Sequence, residues 1–231
     1  MSDYGDPFEG RPRRPSPLGG RRPSRDELAD FATDNPGAID DVLPADGRPL
    51  NLLIVGINPG LWTAAVNAPF AHPGNRFWPS LYRAGLTDHV IDAAAGLSPG
   101  DEAQFHSRGI GLTNLVGRAT ARADQLSKDE IRDGGARLIE RLPGLRPRVV
   151  AIAGITAFRT AYALPKASLG RQEPGTIPNW PNDVDLWVVP QPSGLNAHHN
   201  IDSLADFWRE VWNAVEHAKE GVPHSGSTRN T

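Results

Sequence analysis

The sequence predicts an α/β fold: a single domain with a mostly parallel central sheet of about four strands, flanked by helices on both faces. Three observations lead there. Short apolar runs of strand length recur along the chain. Between them lie segments with apolar residues at helical spacing or with Ser-x-x-Glu caps. Strands alternating with helices make βαβ units, whose crossovers are almost always right-handed and whose helices cover both sheet faces. A chain of 231 residues is long enough for one such domain and does not require a second.

Taken in order, Ser24-Arg25-Asp26-Glu27 has the form of a capping box and predicts a short helix to about Thr33, stopped by Asn35-Pro36-Gly37. Residues 50–57 are an apolar run suited to a strand buried on both faces, ending in the turn Asn58-Pro59-Gly60. An irregular loop is expected next. Phe77, Trp78, Leu81, Tyr82 and Leu86 then recur at helical spacing, with Pro79 tolerable in a first turn. Residues 109–115 read as a second strand with a polar end at Thr113 and Asn114. Ser127 to Glu130 is another capping box, opening a helix expected to reach about Arg141, before Pro143-Gly144. Residues 149–154 predict a third strand, followed by a helix to about Ala163, and residues 184–189 a fourth. Leu204, Phe207, Trp208, Val211, Trp212 and Val215 make a wide stripe on a final helix, with Asp202 as its expected cap.

Residues 1–23, rich in Arg, Pro and Gly without a hydrophobic period, are expected to form a disordered basic tail. The domain is then expected over 24–218, with a frayed end at 219–231. The chain has no Cys, which excludes disulfides, thiolate metal sites, cysteine nucleophiles and Cys-ligated clusters. Its apolar runs reach about five or six residues against the roughly 20 that cross a bilayer, so no membrane partner and a cytoplasmic location are expected. A net charge of −3 argues against a protein held on nucleic acid by bulk electrostatics, though not against a local basic face.

In a parallel sheet the ligand crevice lies beyond the carboxyl ends of the strands. Three Gly-, Pro-, Asn- or Ser-containing segments directly follow strands: Asn58-Pro59-Gly60, Thr113-Asn114, and Gln191 to Asn196. All three therefore belong on one rim. No dinucleotide fingerprint, phosphate loop or Gly-x-Ser-x-Gly elbow is present. A Ser193, His198 or His199, Asp202 triad can be drawn, but residues so close in sequence seldom reach triad geometry. His72, His198 and His199 lack metal-site spacing. From spacing alone, a turn cap is the simpler reading of Asn58 and core packing the simpler reading of Phe70.

Gly56-Ile57-Asn58-Pro59-Gly60-Leu61, followed by Pro69-Phe70-Ala71-His72-Pro73-Gly74-Asn75-Arg76-Phe77-Trp78, resembles the mismatch-specific uracil and thymine DNA glycosylase family. Arg108 to Val116 resembles that family's second characteristic stretch, and Pro192-Ser193-Gly194-Leu195-Asn196 its DNA-wedge loop. The resemblance runs over roughly residues 48–215. It implies a uracil-DNA glycosylase-like α/β domain that hydrolyses the bond between deoxyribose and a damaged pyrimidine, preferentially opposite guanine. It also implies a monomer, double-stranded DNA containing uracil or a mismatched pyrimidine as partner, and neither cofactor nor metal.

By the same resemblance Asn58 is the catalytic position. An amide is no strong base, so its task is to orient the attacking water. Phe70 matches the aromatic that stacks on the flipped base, and backbone N–H groups near Ile57 and Phe70 match donors to the pyrimidine carbonyls. Asn114 either contributes to base binding and catalysis or simply caps its strand. Leu195 matches the wedge, with Ser193, Gly194 and Asn196 addressing the duplex around it. Ala197 departs from the family pattern, in which an arginine occurs nearby, and implies a weaker grip on the widowed guanine. Arg76, Arg83 and Arg118 are candidates for phosphate contacts, while His72 and Asn75 are read as loop braces. Two other functions fit parts of the sequence: a lesion sensor of the same fold without turnover, and a small-ester hydrolase using Ser193 and His199.

Overall fold

Five strands form one sheet in the computed structural model, which describes residues 13–44, 48–194 and 196–220. They are β1 (Leu52–Gly56), β2 (Ile110–Asn114), β3 (Val149–Ala153), β4 (Gly170–Arg171) and β5 (Asp185–Val189). The order is β2-β1-β3-β5-β4; β2, β1, β3 and β5 run parallel and β4 pairs antiparallel with β5. The four expected strands are the four parallel ones. The fifth, β4, is an addition, because two residues carry no readable period; Arg171 is tied to β5 by its ion pair with Asp185 at 2.8 Å.

Alternation of side chains divides the core in two. Leu52 and Ile54 of β1 share one cluster with Val149, Ala151 and Ala153 of β3, and Leu53 and Val55 share the other with Val150 and Ile152. Burial on both faces explains why these strands read as unbroken apolar runs rather than as alternation. The first cluster is covered by α1 (Leu61–Val66), α2 (Phe77–Arg83), α3 (Pro99–Arg108) and α6 (Ile201–Lys219), through residues such as Val66, Phe77, Phe105 and Trp208. The second is covered by α4 (Lys128–Leu145) and α5 (Ile155–Ala161), through Leu138, Leu142 and Phe158.

Several elements differ from expectation, each for a local reason. The segment after Ser24 forms only a 3-10 turn, Leu28–Phe31, because Thr33 leaves it to pair with Ala119. The loop expected after Gly60 contains α1, and α3 is a further addition, although Ser98 and Asp101 form a full capping box with Pro99 in the first turn. Helix α4 runs through Pro143 to Leu145; the proline falls in the last turn, and Arg146 N–H closes that end on Leu142 O at 2.7 Å. Helix α5 stops at Ala161. Helix α6 is capped by Asn200, which accepts from Ser203 N–H, while Asp202 pairs with Arg83.

Residues 13–23 lie on the body rather than trailing from it. Arg13 meets Glu102 and the Asn67 carbonyl, Arg14 bonds Asp40 at 2.7 Å, Arg22 bonds Asp92 at 2.6 Å, and Leu18 packs on the core. Acidic partners spread over several distant segments offset the charge that makes this stretch look like a solvated tail. Residues 1–12 of the expected tail and 221–231 of the expected C-terminal one lie outside the described residues.

Connections leave β1 toward β2 on one side and β3 toward β5 on the other. The carboxyl ends of β1 and β3 are thus a topological switch point, where doubly wound sheets open their ligand crevice.

Candidate active site

A cleft of about 1540 Å³ opens at that switch point. It exceeds the roughly 300–1,000 Å³ of small-molecule sites and is large enough to take part of a macromolecule. Ile57 and Asn58 after β1, Asn114 at the end of β2, and Gly154 after β3 line its floor. Phe70, His72 and Arg76 form one wall; Ser193, Gly194 and Asn196 form the other. The three segments assigned to one rim do meet there. Leu195 lies outside the described residues, though both neighbours line the cleft.

Asn58 is half-buried and its amide is held from three directions. Nδ2 donates to Thr120 Oγ1 at 2.8 Å, to Pro59 O at 3.1 Å and to Arg118 O at 3.2 Å. Two of these partners are carbonyls, which only accept, and the Thr120 hydroxyl already donates to Arg122 O at 2.8 Å. The orientation of the amide follows: NH₂ toward the protein, and Oδ1 without a donor among the described residues. Thr120, buried, comes into place because residues 116–120 run alongside the β1 turn, with Thr120 N–H on Pro59 O at 3.2 Å. Sequence reasoning missed Thr120; it lies on no periodic element.

Phe70 adopts φ +54°, a conformation that costs a bulky residue energy and concentrates at functional sites. Its ring stacks on Phe77 with centroids 3.9 Å apart, and its N–H has no acceptor among the described residues. Gly56 makes room for this arrangement. A Cβ there would fall 2.4 Å from Asn114 Oδ1 and 3.3 Å from the Phe70 ring, so the strand end must be glycine for both side chains to reach the floor. The Asn114 amide has no protein partner among the described residues and offers both a donor and an acceptor to the cleft.

In this structure all three arginines proposed for phosphate contacts are engaged within the protein. Arg118 lies off the cleft, paired with Glu130, whose carboxyl the guanidinium hydrogen bond lowers to about 2, and it also donates to Gln125 O. Arg83 pairs with Asp202 at 2.8 Å. Arg76 reaches across to the opposite wall and donates to three loop carbonyls. His72 Nδ1 accepts from Gly74 N–H at 3.1 Å and Asn75 Oδ1 from Phe77 N–H at 2.9 Å, so both residues brace the wall.

Among the described residues, His199 and Asp202 are not arranged as the base and orienting acid of a hydrolase triad. His199 Nδ1 has no partner among the described residues, and Asp202, which would have to orient it, is engaged by Arg83. Among the described residues no three His, Asp or Glu side chains cluster to hold a metal ion, and no helix is long and apolar enough to cross a membrane.

The resemblance implied an α/β domain of this kind, and the sheet, the cleft at its switch point, Asn58 and Phe70 all lie within one stretch of the chain. The model of the Uracil DNA glycosylase superfamily matches residues 45–216, which contain every one of these features, and the chain belongs to that superfamily of DNA glycosylases.

Proposed function

We propose that the chain is a monofunctional glycosylase of the mismatch-specific uracil and thymine type, acting as a monomer on duplex DNA. It takes uracil, and other pyrimidines opposite guanine, out of the helix and hydrolyses the N-glycosidic bond, leaving an abasic site. The observation that carries this reading is the locked amide of Asn58. With NH₂ held on Thr120, Pro59 and Arg118, Oδ1 is the one polar atom of that side chain left for a ligand.

An amide does not titrate at neutral pH, so Oδ1 accepts a hydrogen bond from water and thereby aims the water oxygen at C1′. That oxygen bonds C1′ as the C1′–N1 bond breaks. The electron pair of the broken bond leaves with the pyrimidine, and the water's proton passes to solvent. The unpaired Phe70 N–H is suited to donate to a carbonyl of the departing anion, a preorganised contribution of the oxyanion-hole kind. The Phe70 ring, backed by Phe77, offers the flipped base a stacking partner worth about 1–3 kcal/mol. Asn114 reads a base edge. On the opposite wall Ser193, Gly194 and Asn196 face the duplex, and Leu195 takes the wedge role on the strength of the resemblance alone.

Single-turnover cleavage of a duplex with one G·U pair tests the proposal. Wild-type protein should release uracil and leave an alkali-labile site, whereas Asn58→Ala should bind the duplex and cleave it about 100-fold more slowly or worse. Wild-type rates in that variant would reject the assignment of Asn58. Cleavage of other lesions, each opposite guanine and opposite adenine, then ranks the substrates.

A further inference from the structure

The two walls of the cleft are joined by one side chain. Arg76 precedes α2, and its backbone N–H donates to Pro192 O at 2.8 Å. Its guanidinium continues the connection: Nη1 donates to Asn196 O at 2.7 Å and to His199 O at 2.6 Å, and Nη2 to Gly194 O at 3.0 Å. The backbones themselves touch. A Cβ on Gly194 would fall 2.5 Å from Gly74 O, so the wall carrying Phe70 and the loop opposite are in direct contact at this point. Arg83, Arg118 and Arg122 are each paired with a carboxylate, but Arg76 forms no ion pair among the described residues.

We propose that Arg76 is a positioning residue: its planar fork staples residues 191–194 and 196–199 to the base-pocket wall and so sets how far the duplex-facing loop stands from Asn58. The proposal rests on the glycosylase reading of the cleft. Its physical basis is geometric. Carbonyls of three loop residues, converging from different directions, are spanned by a rigid guanidinium; a lysine brings the same charge as a single point and cannot span them. A loop left unstapled would present the duplex at a variable distance from the water held by Asn58, and small misplacements of a reacting atom are costly.

The test compares wild type, Arg76→Ala and Arg76→Lys in two measurements on the full chain. Amide hydrogen exchange should rise in residues 192–199 in both variants and stay unchanged in β1 and β3. Single-turnover cleavage of a G·U duplex should fall about 10- to 100-fold in both. Wild-type cleavage by Arg76→Lys would overturn the proposal, since charge alone would then suffice. Unchanged loop exchange in Arg76→Ala would overturn it equally. If Arg76→Ala loses protection throughout, Arg76→Lys, which keeps the stem and the charge, decides by the same readouts. A wild-type protein inactive on every pyrimidine lesion sinks the glycosylase reading instead, and the exchange data then decide the staple by themselves.

Discussion

Asn58 is specified by what its nitrogen touches. Carbonyl acceptors on one side leave no ambiguity about which amide atom faces the cleft, and Thr120 contributes the shortest of the contacts. Its hydroxyl proton is committed to Arg122 O, so its oxygen is a fixed acceptor for Nδ2. Thr120→Val keeps the shape and removes that acceptor, leaving the amide to pivot on two longer bonds. A hydrogen bond of this kind contributes about 1–1.5 kcal/mol, so single-turnover cleavage should fall roughly tenfold. Thr120→Ser, which restores the oxygen, should recover most of the rate. A Thr120→Val protein as fast as wild type would show that the remaining contacts suffice to hold the amide.

At the scale of elements, α1 ends in a residue on which the N-terminal segment also depends. Asn67, buried and at φ +48°, closes the helix in the left-handed region that Asn tolerates better than most. Its Oδ1 accepts Asp40 N–H at 2.8 Å, and its Nδ2 donates to Arg14 O at 2.8 Å and Asp40 Oδ2 at 3.0 Å. One side chain thus ties α1, the loop at Asp40 and the segment from Arg13 together, three residues ahead of Phe70. Asn67→Ala removes these bonds and puts a Cβ-bearing residue without polar compensation into the strained region. A loss of about 2–4 kcal/mol is expected, read as a lower denaturant midpoint at unchanged slope. Asn67→Gly should recover only the conformational part.

Elements also differ in how plainly the chain spells them. Strands β1, β2, β3 and β5 are legible in the sequence because burial on both faces writes a continuous apolar run, and their ends put Asn58, Asn114 and residues 191–194 and 196 on one rim without further information. Helix α1 is not legible: its buried residues Thr63, Ala64, Ala65 and Val66 are contiguous, so no 3.6-residue period exists to be seen. Helix α3 buries only Asp101 and Phe105, and its one signal is the cap at Ser98. Thr120 and the partners of Arg76 escape for another reason. Both depend on contacts 62 and 118–123 residues apart in sequence, which the packing of loops decides and local pattern does not record.

For the molecule as a whole, the balance of charge bears on how it holds DNA. A net charge of −3 leaves no general attraction to a polyanion, and the arginines nearest the cleft are committed. Arg118 is held by Glu130, Arg83 by Asp202, Arg122 by Asp124, and Arg76 by loop carbonyls. On the N-terminal segment Arg13, Arg14 and Arg22 are likewise paired with acids. Each phosphate neutralised by a free cation releases counterions and steepens the fall of affinity with salt by a slope of about 0.9. With the arginines nearest the cleft engaged within the protein, the duplex should be gripped mainly through backbone amides, hydroxyls and stacking, which release few ions. Binding of a G·U duplex by the Asn58→Ala variant, measured from about 50 to 200 mM salt, should therefore give a log–log slope of only about −1 to −3. A slope steeper than about −5 would mean that these ion pairs open on the DNA and hand their arginines to phosphates, and the cleft with its paired arginines would then be a resting arrangement rather than the bound one.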